Sequence, residues 1–339
     1  MIYPAELAEH LRSLDIDRLP ISQYSRDALR RVVAHYDYYF EIYRRCVEYA
    51  IINCEKTPRQ LTIVDYGGGH GLFALAAKTM GFAKVIYVDH NPDAVNTVRT
   101  LSDRTGVPLD AILCGDTDSL GHWCTENHIT PDALIAVDVI EHIYNLDTFF
   151  FALHQSFPSM AMVFTTASTP FNPVVKRRLH RAMVKDELRG DHSFFRQRRD
   201  HLKNLNPTLS DDELDFWASN TRGLTLDDAA TAFSENRPNR LDDPYNTCDP
   251  VSGSWTERIL PLDHYKRILQ PLGYRMNIVP GFYNTHRSSA KGRVSRCINK
   301  LLNLEDVSSK SVDEKFPFPF RIQLFVAPFV LFNVTSAKS

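Results

Sequence analysis

Residues 61–71 read LTIVDYGGGHG, an apolar run that ends in an acid and then in alternating glycines. Leu61, Ile63 and Val64 form the kind of short, β-branched run that a parallel sheet buries on both faces. Asp65, Gly67, Gly69 and Gly71 then give the spacing D-x-G-x-G-x-G, and Leu72 to Met80 follows with a helical pattern. Glycines at such a turn let the chain bend sharply and let a ligand touch bare backbone. The helix behind them directs unpaired N–H groups and a partial positive charge at that ligand. A dinucleotide fingerprint, G-x-G-x-x-G/A, can be fitted to Gly69, Gly71 and Ala74, but it sets Asp65 against a pyrophosphate. An acid before the glycines suits a cation or an amino group instead.

The same grammar continues downstream. Lys84 to Val88 reads as a second strand ending at Asp89 and His90, and Ala111 to Leu113 as a third followed by Gly115 and Asp116. Ala133 to Val137 is a fourth, ending in Asp138-Val139-Ile140-Glu141-His142, and Met162 to Thr166 a fifth. Asp89 lies about twenty residues past the glycines, where doubly wound folds set an acid against ribose hydroxyls. One acid at a strand end is commonly a helix cap. Asp65, Asp89, Asp116 and Asp138, each at the C-terminal end of its strand, instead outline a ligand crevice at the top of a parallel sheet.

This series resembles the class I S-adenosylmethionine-dependent methyltransferases over residues 61–169 and 260–334, with 61–71 standing as their motif I. The resemblance implies an α/β fold with a Rossmann-like, seven-stranded mixed sheet, helices on both faces, N-terminal helices and a largely helical insertion. It implies S-adenosylmethionine as cofactor and S-adenosylhomocysteine as product. Asp65, Gly67, Gly69, Gly71, Asp89, His90, Asp116 and Asp138 are the cofactor-binding candidates, with Asp116 expected to meet the adenine amine. Asp138-x-x-Glu141-His142 also resembles the ligand set of metal-assisted relatives, although Asp stands where those carry Glu and no fourth ligand is identifiable. A metal-free site is the reading taken, and a divalent metal the alternative.

Composition fits an ordinary soluble enzyme: 339 residues, 43% hydrophobic, 24% charged and a formal net charge of −2. That charge gives no general attraction to DNA or to an anionic surface. The six cysteines include no C-x-x-C and no zinc spacing, so reduced thiols and a cytoplasmic location are expected. The N-terminus lacks the apolar region of a signal peptide, and no stretch approaches the roughly 20 apolar residues of a spanning helix.

Four segments follow: a helical cap over 1–60, the cofactor-binding core over 61–169, an acceptor-side insertion over 170–255, and completion of the sheet over 256–339. The cap contains a long helical segment from about Ser25 to Cys54, rich in tyrosine, from which Tyr39 is a candidate wall of the acceptor site. In the last segment a strand near Arg275 to Val279 and a final antiparallel strand near Ala327 to Val334 close the sheet. Between them Arg293 to Leu304 is basic and amphipathic and precedes Phe316-Pro317-Phe318-Pro319-Phe320. Packing on the protein is expected there, with peripheral docking on a membrane as the alternative.

Acceptor chemistry is less legible. A basic cluster running from Lys176 to Lys203 is commonly a solvated face, yet Arg198 and Arg199 are candidate contacts for an anionic acceptor. Trp255, in a polar, turn-rich loop, reads as an exposed residue in want of a partner and is a second candidate wall of the acceptor site, with simple structural packing as the alternative. Methyl transfer needs in-line approach, and a hydroxyl acceptor adds a general base. His142, Asp138 and His192 are the candidates by motif position. The favoured reading is methyl transfer to a hydroxyl of a small-molecule or glycoconjugate acceptor. A metal-assisted RNA 2′-O-methyltransferase, a non-catalytic cofactor-binding subunit and, more remotely, a dehydrogenase are the alternatives. Oligomeric state is not encoded in any motif.

Overall fold

The computed structural model describes residues 4–287, 289–304 and 307–337. Three helices open the chain: α1 (Ala5–Ser13), α2 (Gln23–Val33) and α3 (Tyr36–Cys54). The expected continuous segment from Ser25 to Cys54 is broken at Ala34 and His35, where His35 leaves helical geometry (φ −126°, ψ 26°). The break follows Val32 and Val33, a β-branched pair of low helix propensity.

Alternating strands and helices follow: β1 (Thr62–Tyr66), α4 (Leu72–Thr79), β2 (Lys84–Asp89), α5 (Pro92–Thr105), β3 (Ala111–Cys114), α6 (Thr117–Glu126), β4 (Ala133–Val137), α7 (Leu146–Ser156) and β5 (Ala161–Thr166). The insertion contributes α8 (Pro173–Leu188), α9 (Phe194–Leu205), α10 (Asp211–Asn220), α11 (Leu226–Ser234) and a small antiparallel pair, β6 (Thr247–Cys248) with β7 (Trp255–Glu257). The chain then returns through α12 (Leu262–Leu269), β8 (Tyr274–Pro280), α13 (Ala290–Leu301), β9 (Lys310–Ser311), α14 (Phe318–Val326) and β10 (Val330–Ser336).

The main sheet has the order β3-β2-β1-β4-β5-β10-β8-β9, and β1 to β5 are mutually parallel. It is therefore eight-stranded rather than seven; the extra strand is β9, two residues long, at the edge. As expected, the last strand runs antiparallel, pairing with both β5 and β8. Side-chain alternation assigns the two faces. Ile63, Val85 and Tyr87 pack with residues of α1 to α5, whereas Val64, Ile86 and Val88 pack with α6, α7, α12 and α14. Both faces being covered explains why these strands read as unbroken apolar runs. No helix among the described residues is long and apolar enough to cross a membrane.

The winding supplies the reason for a site. The chain progresses outward from β1 to β3, then restarts on the other side of β1 at β4. Loops leaving β1 and β4 consequently diverge and open a crevice at the C-terminal edge of the sheet.

Candidate functional site

The crevice is a cleft of about 720 Å³, inside the roughly 300–1,000 Å³ typical of small-molecule and cofactor sites. Its floor comes from Tyr66, Gly67, Gly69 and His70 at and beyond the end of β1, Asp89 to Asn91 at and beyond the end of β2, and Gly115 after β3. Asp138, Val139 and His142 to Tyr144, after β4, form the opposite wall. Tyr24, Ser25 and Ala28 of α2 and Ser252 and Ser254 of the insertion close over it.

The glycine turn is held by a small hydrogen-bond lattice. Gly69 N donates to Asp89 Oδ2 (2.9 Å), Tyr87 Oη donates to Gly69 O (2.6 Å), and Gly71 N donates to Gly68 O (2.8 Å). Gly69 and Gly71 both have positive φ, but for different ends. A Cβ on Gly69 would meet no atom within 4 Å, so the space above its backbone belongs to the cleft. A Cβ on Gly71 would strike Val98, so that glycine lets α4 and α5 pack closely. His70 sits in this turn, and burial lowers its imidazole pKa to about 4, leaving it neutral.

Asp89 accepts from Gly69 N and from Asn91 N (2.9 Å each), which fixes its carboxylate at the cleft edge. Asp138 follows β4 with φ +55°, an uncommon conformation for a non-glycine residue. Its outer edge meets solvent through the cleft, yet protein encloses it on most sides. The lost hydration, and then the charge of Glu257, raise its pKa to about 6. His142 lies on a short 3-10 turn, Ile140–His142, and its Nδ1 stands 2.8 Å from the carbonyl oxygen of Trp255. A carbonyl can only accept, so the neutral ring carries its proton on Nδ1 and keeps the Nε2 lone pair free.

No protein-family model matches the chain. Curated relatives match locally: the ribosomal protein L11 methyltransferase of Salmonella arizonae is 44% identical over 82 residues, 24% of this chain and 24% of that protein. The enzyme of the same name from Symbiobacterium thermophilum is 41% identical over 51 residues, 15% and 17% of the two chains. The chain thus spans a quarter or less of the length of these relatives. Among solved structures, the plantazolicin methyltransferase BpumL, in complex with a triazolic desmethylPZN analog and SAH, aligns over 98% of this chain and 97% of its own, at 12% identity and a TM-score of 0.39. At that score the overlay carries no weight beside the sheet order and the local sequence identity.

The glycine turn, the strand-end acids and the sheet order make this segment similar to the cofactor-binding core of the class I S-adenosylmethionine-dependent methyltransferases. Within that methyltransferase core, several of the residues expected from sequence reach the cleft: Gly67, Gly69, Asp89, His90, Asp138 and His142. Tyr39 stands near enough to Asp138 for the carboxylate, after burial itself, to raise its phenol pKa.

Other expectations are corrected. Asp65 is buried and does not line the cleft; it accepts from Ala74 N (3.1 Å) and so caps the first turn of α4. Burial lifts its pKa to about 8. Gly71 serves packing, as above. Asp116 is the N-cap of α6, accepting from Asp118 N and Ser119 N, while its neighbour Gly115 is the residue that meets the cleft. His192 is exposed in the turn between α8 and α9, away from the cleft lining. Trp255 is buried at 4% exposure, donating from Nε1 to Tyr144 O (3.2 Å) with the Arg258 guanidinium over its ring. It touches the site through its carbonyl on His142. Arg198 is wholly buried, paired with Glu187 and donating to Ala218 O (3.1 Å), and Arg199 is pinned by Asp211 and Asp215.

Glu141 is buried and does not line the cleft, and its carboxyl is driven well above the usual range by lost hydration and then by the charges of Asp138 and Glu257. Asp138, Glu141 and His142 therefore do not converge as one ligand set, and no cluster of three metal-ligating side chains is found among the described residues. Sequence reasoning missed His70, although the quoted motif contains it, and missed Tyr144, two residues past His142. The contribution of α2 depends on how a distant segment folds over the crevice, and no local pattern announced it, whereas Ser252 and Ser254 belong to the polar loop around Trp255 and reach the cleft where the Trp255 ring does not.

Proposed function

We propose that the protein is a methyltransferase that moves a methyl group from S-adenosylmethionine to a hydroxyl oxygen of a neutral small-molecule or glycoconjugate acceptor. When bound, the cofactor supplies an electrophilic methyl on a sulfonium whose departure needs no acid. The open backbone at Gly69 and the fixed carboxylate of Asp89 fit a ligand bearing a ribose: Asp89 has further lone pairs to accept from its hydroxyls. Gly67 and His90 flank that carboxylate, and Asp138 contributes negative charge on the facing wall, suited to a cationic group.

The observation that carries the oxygen-acceptor reading is the hydrogen bond from His142 Nδ1 to the Trp255 carbonyl. It fixes the tautomer whose Nε2 can accept the acceptor's O–H proton while oxygen bonds to carbon; solvent then takes the proton from the imidazolium. An anionic acceptor loses its support, because the basic residues expected to hold it are engaged with Glu187, Asp211 and Asp215. RNA loses support for the same reason. Closure of the cleft by α2 and the insertion favours a small acceptor over a folded protein, although the curated relatives are named for a ribosomal protein.

The test is methyl transfer from labelled cofactor to a panel of hydroxylated metabolites and sugars, with the wild type and His142→Ala compared. The substitution is expected to lower kcat by about 100-fold or more, in the range of general-base loss, while S-adenosylhomocysteine affinity stays within about twofold. Undiminished turnover would remove the base from His142, and turnover confined to amines would remove the oxygen acceptor.

A further inference from the structure

The segment after β8 carries an apolar surface that the protein leaves uncovered. On α14, Phe320 and Leu324 enter the core. Phe318, Ile322 and Phe325, at helical spacing on the other side, face solvent, with Phe318 71% and Phe325 57% exposed. On α13, Val294 (57%) and Leu301 (83%) are also exposed, seven residues apart and hence on one face. Gln323 Nε2 donates to Leu302 O (2.8 Å), so the middle of α14 rests against the C-terminal end of α13. An exposed group of aromatic and aliphatic side chains of this size marks a contact surface.

The charge around it identifies what it contacts. Lys291, Arg293, Arg296 and Lys300 lie on α13 and Arg321 on α14, all exposed, and neither helix contains an acid. The whole chain is nevertheless slightly acidic, with a formal net charge of −2. Basic charge is thus concentrated beside the apolar face. Two copies meeting face to face there would bring the cations of the two helices together, which opposes self-association. Aromatic and aliphatic groups bordered by Lys and Arg instead match an anionic bilayer, where rings enter the acyl boundary and cations meet headgroups.

We propose that α13 and α14 form a peripheral docking surface for an anionic lipid bilayer. Its place in the fold gives the docking a use. Pro280, ending β8, and Thr166, ending β5, both pair with Val330, so they share the edge of the sheet at which the cleft opens. Residues 281–287 lead from that edge toward α13, and Tyr38 Oη donates to Phe282 O (3.2 Å) there. Tyr38 and Tyr39 both feel the charges of Asp138 in the cleft and of Arg287 at the base of α13. A bilayer on this surface would lie beside the cleft mouth, within reach of an acceptor carried by a lipid. The docking itself does not depend on the methyl-transfer reading.

The experiment is sedimentation of the full-length protein with sucrose-loaded vesicles of phosphatidylcholine alone or mixed with phosphatidylglycerol. Binding is expected with the mixed vesicles, weakening as salt rises. Lys291→Gln with Lys300→Gln should weaken it roughly fivefold per charge removed. Phe318→Ser with Phe325→Ser should weaken it at least about tenfold. Both variants should keep wild-type affinity for S-adenosylhomocysteine, which shows that they fold and separates this surface from the cleft. Equal sedimentation with both vesicle types, or undiminished binding by the Phe variant, would overturn the proposal. So would a concentration-dependent dimer that the Phe substitutions abolish, because a second copy would then cover the surface.

Discussion

Individual residues in the glycine turn do unlike work despite even spacing. Gly69 has positive φ beneath open space, whereas Gly71 has positive φ against Val98. Gly69→Ala is expected to cost about 1–2 kcal/mol of stability, the cost of a left-handed non-glycine residue, and to abolish S-adenosylhomocysteine binding by filling the space above the backbone. Gly71→Ala adds a steric clash between helices and should unfold the protein or lower its melting temperature much further. Calorimetric titration and thermal unfolding of the two variants separate these outcomes; equal loss of stability with equal retention of binding would refute the distinction.

Asp65 gives a second prediction at this scale. Its carboxyl rises from an ordinary 3.8 to about 8 on folding, chiefly through burial. The folded state therefore holds more protons than the unfolded state between these values, and its stability declines as pH climbs from about 4 to about 8. Asp65→Asn retains an oxygen for the Ala74 N–H and removes the titration. The ligand-free variant should show a flatter dependence of Tm on pH across 5 to 8 than the wild type; parallel curves would show that Asp65 does not titrate there.

At the level of elements, the insertion is held by its charges rather than emptied toward a ligand. Glu187 on α8 accepts from Arg198 on α9 and from Thr247 on β6 (2.6 Å for the latter), joining three elements through one buried carboxylate. Arg198→Ala would leave that carboxylate unpaired, at a cost of about 3–5 kcal/mol. Arg199→Ala removes only surface pairs and should cost about 1 kcal/mol or less. Chemical denaturation distinguishes the two. Arg198→Ala appearing as a pure rise in acceptor KM, with stability intact, would return this arginine to the acceptor site.

The whole molecule builds the cleft from segments far apart in sequence: α2 closes it on one side and the loop at Ser252 to Ser254 on the other. Ligand binding should consequently slow amide hydrogen exchange in residues 23–33 and 250–256 as well as in the glycine turn. Protection confined to 66–71, 89–91 and 138–143 would show that the cap and the insertion do not contribute to the site.

The sequence by itself determined the parallel core, the position of the crevice and most of its floor. Period, strand-end acids and glycine spacing are local properties, and they act within a few residues of where they are written. Gly67, Gly69, Asp89, Asp138 and His142 were legible for that reason. The tertiary structure alone decided which charges face the cleft and which face one another. Asp65 and Asp116 have the same chemistry as Asp89 and Asp138, but Asp65 is buried against the Ala74 N–H and Asp116 is turned to cap α6, while the Arg198 guanidinium is taken up by a buried carboxylate from another element. Trp255 is the converse case: its ring is buried, and its carbonyl, which has no sequence signature, orients His142. Partnership between distant groups depends on distances set by the complete fold, and desolvation depends on everything packed around a group. Neither can be read from neighbours along the chain.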